Sequence, residues 1–161
     1  MLLIFCAELE EAKNIKCADA KIYITGVGVS NILKTPAFIL KPTDKVINIG
    51  YVGSNKYVVG SVVSVNRCSR LYPSTIVKEK SIDLCSCYNK GDVCYTADNF
   101  IEHARDEVPL VDMELYYLAS LYPQMQSIKI VSDNLDYKTY KETDFNKSWE
   151  IVNSILNKLV E

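Results

Sequence analysis

The 161-residue chain holds one histidine, His103, and no C-x-x-C pair. Structural zinc sites draw four ligands from paired Cys and His at short spacings. Cys85-Ser86-Cys87 with Cys94 beyond is a C-x-C pattern and does not supply them, so no metal site is expected. A Ser-His-Asp or Cys-His constellation also needs its histidine, and no G-x-S-x-G elbow is present. Basic residues are not in excess either. Lys and Arg number 18 against 20 Asp and Glu, a net charge of −2, which argues against a nucleic-acid partner. No apolar run is long enough to span a membrane. The opening Met1–Ala7 is apolar but lacks a basic flank and runs into acids, unlike an export signal. The six cysteines are therefore expected to be reduced thiols of a cytoplasmic protein.

What is present is an ordinary globular mixture, 48% apolar and 24% charged. Its length suits one domain over residues 1–161, with a core of its own. Leu2–Ala7, Lys45–Ile49 and Ser127–Val131 are short continuous apolar runs, as in strands buried on both faces. Lys21–Thr25 and Tyr57–Val65 also read as strands, the latter with a bend at Gly60. Glu8–Ile15 is predicted helical, with acids in its first turn where the helix dipole favours them. Ser30–Leu40 reads as mixed helix. Asn66–Lys90 is the least regular stretch, with a strand near Ser74–Val77 and a hairpin turn at Asn89–Asp92 leading into Val93–Tyr95. Asp98 is placed to cap a short helix reaching Arg105. Leu110–Glu114 passes from strand into a helix stopped by Pro123. Tyr140–Val160 is a helix whose apolar face is Trp149, Val152, Leu156 and Leu159. Alternating strands and helices predict an α/β fold, a three-layer αβα arrangement around a central twisted mixed sheet.

Ligands of α/β sheets bind beyond the carboxyl ends of strands. Acids collect there: Glu8, Glu10 and Glu11 after the first run, Asp112 and Glu114 after Leu110-Val111, and Asp133 after the last. Three carboxylates from three strand ends converging on one pocket is the expectation. Gly26-Val27-Gly28 does not complete a dinucleotide fingerprint, because the third glycine is Asn31 and no ribose-binding acid follows.

Read together, these segments resemble the purine nucleoside phosphorylase and nucleosidase superfamily, above all the 5′-methylthioadenosine/S-adenosylhomocysteine nucleosidases. Ala7-Glu8-Leu9-Glu10-Glu11 is similar to its A-x-E-E-E opening. Thr25-Gly26-Val27-Gly28 with Asn31 is similar to S-G-I-G-x-x-N, and Asn48-Ile49-Gly50-Tyr51-Val52-Gly53 to N-T-G-x-A-G. Gly60-Ser61-Val62-Val63 is similar to G-D-I-V, Thr96–Ile101 to S-G-D-x-F-I, Val111–Glu114 to V-E-M-E, and Val131–Asp136 to I-S-D-x-A-D. The resemblance implies a phosphorylase/hydrolase-like fold and hydrolysis of an adenine nucleoside. Glu11 would activate water, Glu114 would hold the ribose hydroxyls with Met113 against the sugar, and Asp133 would protonate the purine, oriented by Ser132. Phe100 would stack on the base, the Ile101 main chain would meet its edge, and Thr25, Gly50 and Asp112 would complete substrate binding. It also implies a small purine nucleoside as ligand, no cofactor, and a homodimer.

The chemistry suits these residue types. Cleaving an N-glycosidic bond leaves a poor leaving group unless an acid protonates the base, and burial is what tunes a carboxyl for that task. Positive charge on the sugar is stabilised by a nearby carboxylate, and a second acid deprotonates water, as in inverting glycoside hydrolysis. A nucleoside phosphorylase of the same fold is one alternative, although Arg67, Arg70 and Arg105 sit in no evident phosphate motif. A non-catalytic nucleoside- or nucleobase-binding protein is another. The chain is shorter than a usual family member, chiefly between Val65 and Asp92. Tyr51 replaces a small residue, where it is expected to crowd the sugar site.

Overall fold

The computed structural model describes residues 1–71, 81–101, 108–135 and 143–161. The expected strand at Ser74–Val77, His103 and Arg105 of the helix expected beyond Asp98, and residues 140–142 of the helix expected from Tyr140 lie outside these residues; residues 99–101 and 143–145, which are described, are not helical. The chain order is β1 (Leu2–Cys6), α1 (Leu9–Asn14), β2 (Ala20–Ile24), α2 (Val29–Ile32), β3 (Lys45–Gly53) and β4 (Val62–Arg70). Then come β5 (Ile82–Asp83), β6 (Asp92–Thr96), β7 (Leu110–Asp112), α3 (Leu115–Leu121), β8 (Gln126–Asp133) and α4 (Asn146–Val160).

The apolar runs behave as read. Alternate residues of β1 enter two different cores: Leu3 and Phe5 pack with Ile32, Leu115 and Leu118, whereas Leu2, Ile4 and Cys6 pack with Ile15, Trp149, Val152 and Leu156. Helices α2 and α3 therefore cover one face of the β1–β3 sector, and α1 and α4 the other. Parallel pairing joins β2 to β1, β1 to β3 and β3 to β8.

The central mixed sheet is as expected, but it is not a simple middle layer between two layers of helices. Two nine-residue strands, β3 and β4, outrun their neighbours and change partners along their length. One edge of β3 pairs with β1 and then, at Gly53, with Val111 of β7; the other edge pairs with β8. The start of β4 pairs with β8, its opposite edge with β6, and β6 with β7. The circuit β3–β8–β4–β6–β7 returns to β3, so five of the eight strands among the described residues close on themselves. Closure removes two sheet edges and encloses a second interior.

Two local expectations also change. Asn89 and Gly91 do adopt positive φ (48° and 72°), as a tight turn requires. The flanking strands β5 and β6 do not pair with each other, however; both pair with β4. The segment Tyr57–Gly60 is a turn rather than strand, and β4 begins at Val62.

Candidate active site

Strands β1, β3 and β8 run parallel, and β7 arrives antiparallel to β3 at the C-terminal end of β3. A cavity of about 200 Å³ opens where these ends meet. It is lined by Glu11, Gly50, Phe100, Ile101, Asp112, Met113, Glu114, Ser132 and Asp133 among the expected site residues. Thr25 does not line it. The Thr25 hydroxyl donates instead to the carbonyls of Gly26 (2.8 Å) and Cys6 (3.3 Å).

Glu11 is in the first turn of α1, yet it is not a solvated partner of the helix dipole. Its neighbour Glu10 takes that part, pairing with Lys13 on the surface. The Glu11 side chain folds back: Oε2 accepts the amides of Ala7 (2.8 Å) and Glu8 (2.9 Å), and Oε1 that of Tyr51 (3.0 Å). Only 3% of Glu11 is exposed. Burial pushes its carboxyl above the ordinary range, and the three amides and Lys129 offset only part of this. Gly50 forms the floor beside it. A Cβ there would come within 3.1 Å of Glu11 Oε1 and 3.7 Å of Lys129 Nζ, so glycine keeps the two charged groups at the cavity surface.

Glu114 caps α3 after β7, and its Oε1 accepts the Gly28 amide at 2.8 Å. Gly28 reaches it at φ 87°, a conformation favoured by glycine. Burial, then the neighbouring Asp112 carboxylate, raise Glu114 to about 7. Asp112 accepts from Thr96 Oγ1 (2.7 Å), the Leu115 amide (2.9 Å) and Lys129 Nζ (2.8 Å).

Lys129 was not singled out by sequence. It is 1% exposed, on the β8 face shared with Val131 that turns into the closed interior. Asp112 holds its ammonium well above the usual lysine range, outweighing the effect of burial. The signal was a lysine inside Ile128-Lys129-Ile130-Val131, since a cation in a buried strand needs a partner. Asn48, also lining the cavity and 3% exposed, is fixed by Ser127 Oγ (3.1 Å) and the Phe5 carbonyl (3.3 Å).

Asp133 closes the other side. Its Oδ2 accepts from Ser132 Oγ (2.9 Å) and its Oδ1 from the Leu135 amide (3.0 Å). Ser132 also reaches the Val52 carbonyl at 3.3 Å. The Phe100 ring lines the cavity while 52% exposed. Tyr51 does not crowd the site with its ring. That ring turns to α4, packing on Phe145 and edge-on to Trp149, whose Nε1 donates to the Tyr51 hydroxyl at 2.9 Å.

Among the described residues no group of three or more His, Cys, Asp or Glu is arranged to hold a metal ion. No described helix is long and apolar enough to cross a membrane. Cys6, Cys17, Cys68, Cys85, Cys87 and Cys94 are free thiols, with burial raising Cys6 and Cys68 to about 12.

No family model and no curated protein matches the sequence. Solved structures do match its fold, along almost the whole of both chains. The MTAN of Chlamydia trachomatis is 16% identical with a TM-score of 0.76, covering 99% of this chain and 98% of that one. The 5′-methylthioadenosine/S-adenosyl homocysteine nucleosidase of Helicobacter pylori, complexed with a pyrrolidine ligand, gives 17%, 0.74, 99% and 97%. The futalosine hydrolase of the same organism gives 16%, 0.74, 99% and 96%. The fold is thus that of the nucleosidases, and at this identity the likeness is one of fold.

Proposed function

We propose that the protein hydrolyses the N-glycosidic bond of an adenine nucleoside of the 5′-methylthioadenosine or S-adenosylhomocysteine type, releasing adenine. The observation that carries this is the arrival of three buried carboxylates, Glu11, Glu114 and Asp133, from three separate strand ends at one cavity. The likeness in fold to nucleosidases supports it. Asp133, oriented by Ser132, protonates the purine while Phe100 stacks on the base and Ile101 meets its edge. Glu114 holds the ribose hydroxyls, Met113 packs on the sugar, and Asp112 braces this wall through Lys129. Glu11 takes a proton from water attacking the anomeric carbon. Its raised proton affinity and its place beside a cation suit a base that alternates between two protonation states. Thr25 acts from outside the cavity, its hydroxyl tying the Gly26 and Cys6 carbonyls just ahead of Gly28.

Water rather than phosphate is the acceptor on this reading. Lys129 is the only basic side chain lining the cavity among the described residues, and it is bound to Asp112. The protein works as a cytoplasmic homodimer without a cofactor; Leu9 at the start of α1, Ile24 at the end of β2 and Val27 just beyond it are exposed and offer apolar surface for a second copy. The test is adenine release from 5′-methylthioadenosine, S-adenosylhomocysteine and adenosine, with and without phosphate. Release independent of phosphate is expected. Release that requires phosphate identifies a phosphorylase, and binding without release a non-catalytic nucleoside-binding protein.

A further inference from the structure

Glu11 takes its position from α1, and α1 has only six residues. A helix that short does not hold its orientation unaided. Two side chains of α4 secure what surrounds it. The Asn153 amide bridges the C-terminal end of α1, accepting from the Lys16 amide at 2.7 Å and donating to the Asn14 carbonyl at 2.9 Å. Asn14 is the last residue of α1, so this bridge satisfies one of its orphan carbonyls. Four residues earlier, on the same face of α4, Trp149 donates to the Tyr51 hydroxyl at 2.9 Å. The Tyr51 amide is the donor that holds Glu11 Oε1. Ile15 and Cys17 share one core with Trp149, Val152 and Leu156, so α4 and the end of α1 are packed together as well.

We propose that Trp149 and Asn153 are positioning residues for the Glu11 carboxylate, one acting through Tyr51 and the other through the C-terminal end of α1. The kinetic consequence rests on the hydrolase reading; the geometric one does not. Loosening either contact lengthens hydrogen bonds that favour the charged form of Glu11, so Glu11 must bind its proton more tightly. The other charged and titratable groups that face Glu11 are Lys129 of β8, the Cys6 thiol of β1, and Glu114 beyond β7, with Asp112 behind Lys129. On its own element they are Glu10 and Lys13, with Glu8 at the N-cap, and the Tyr51 side chain stands on the neighbouring strand. Neither Trp149→Phe nor Asn153→Leu alters any of these groups, except that Trp149→Phe takes the indole N–H from the Tyr51 hydroxyl.

The test follows the Glu11 carboxyl by ¹³C NMR titration in the full chain, alongside kcat and KM for 5′-methylthioadenosine as a function of pH. In Trp149→Phe and Asn153→Leu the Glu11 midpoint should rise. The kcat should fall by about three- to tenfold, the order of one lost hydrogen bond. Its acid limb should move to higher pH, while KM changes less than twofold. Asn153→Asp, which still accepts from Lys16 but no longer donates to Asn14, should fall between wild type and Asn153→Leu. Tyr51→Phe combined with Trp149→Phe should cost less than the sum of the two single changes, because both remove the bond that they share. A Glu11 titration identical to wild type in Trp149→Phe and in both Asn153 variants overturns the proposal, whatever happens to melting temperature. If wild type cleaves no nucleoside, the hydrolase reading fails while the Glu11 titration still decides this one.

Discussion

On the wall formed by α1, β7 and the loop at Gly28, Glu11, Glu114 and Asp112 gather around one cation, Lys129, and every acid is fixed by backbone amides as well. On the wall formed by the end of β8, Asp133 is held by two neutral donors from residues one and two positions away. The first wall assembles charge from distant parts of the chain; the second, the open wall, sets one equally buried acid in a cavity that the half-exposed Phe100 also lines. The difference matches the two demands of N-glycoside cleavage. Charge developing on a sugar is best met by groups already oriented and desolvated. On the proposed reading, the proton for the departing base comes from the single acid of the second wall.

Several substitutions would break this contrast. Glu11→Gln should lower adenine release by roughly 10²- to 10⁴-fold, the range for loss of a general base, with nucleoside binding measured by calorimetry nearly unchanged. Lys129→Met should cost about 3–5 kcal/mol in denaturant unfolding, because it strands Asp112 in the interior. Adding Asp112→Leu to Lys129→Met should recover most of that loss if the pair, rather than the lysine alone, is what the interior requires. Phe100→Ala acts on the open wall, and should raise KM by an amount equivalent to about 1–3 kcal/mol of base stacking while leaving the melting temperature within a degree or two.

The smallest effect is one of pH. Glu114 titrates near 7 in the folded chain against an ordinary value near 4.5. The folded state therefore holds this proton more tightly than the unfolded state, and stability contributed by the protonated form is lost as pH rises through that window. Glu114→Gln lacks this loss. Its melting temperature relative to wild type should increase between pH 5 and pH 8; a constant difference would remove Glu114 from the buried-charge wall.

The open wall was largely legible in the sequence. Ser132 and Asp133 directly follow the apolar run of β8, and Phe100 follows β6, so local reading places them at strand ends. Glu11 was half legible: its strand-end position was clear, but a first-turn acid looks the same whether it faces water or folds back onto the amides of Ala7, Glu8 and Tyr51. The Asp112–Lys129 pair was not foreseen, because it depends on which faces of β7 and β8 meet across the closed sheet. Closure itself was invisible for the same reason, resting on β3 and β4 changing partners midway rather than on any local pattern. Tyr51 was expected at the sugar; the ring instead follows the strand alternation to α4, where Trp149 offers a donor and an apolar surface.

The division of labour between the walls is tested most directly by adenine release from 5′-methylthioadenosine by the Asp133→Asn variant beside wild type, in phosphate-free buffer. The account predicts release by wild type and its near-complete loss in the variant, with the fold and nucleoside binding retained. Full activity in Asp133→Asn would contradict it.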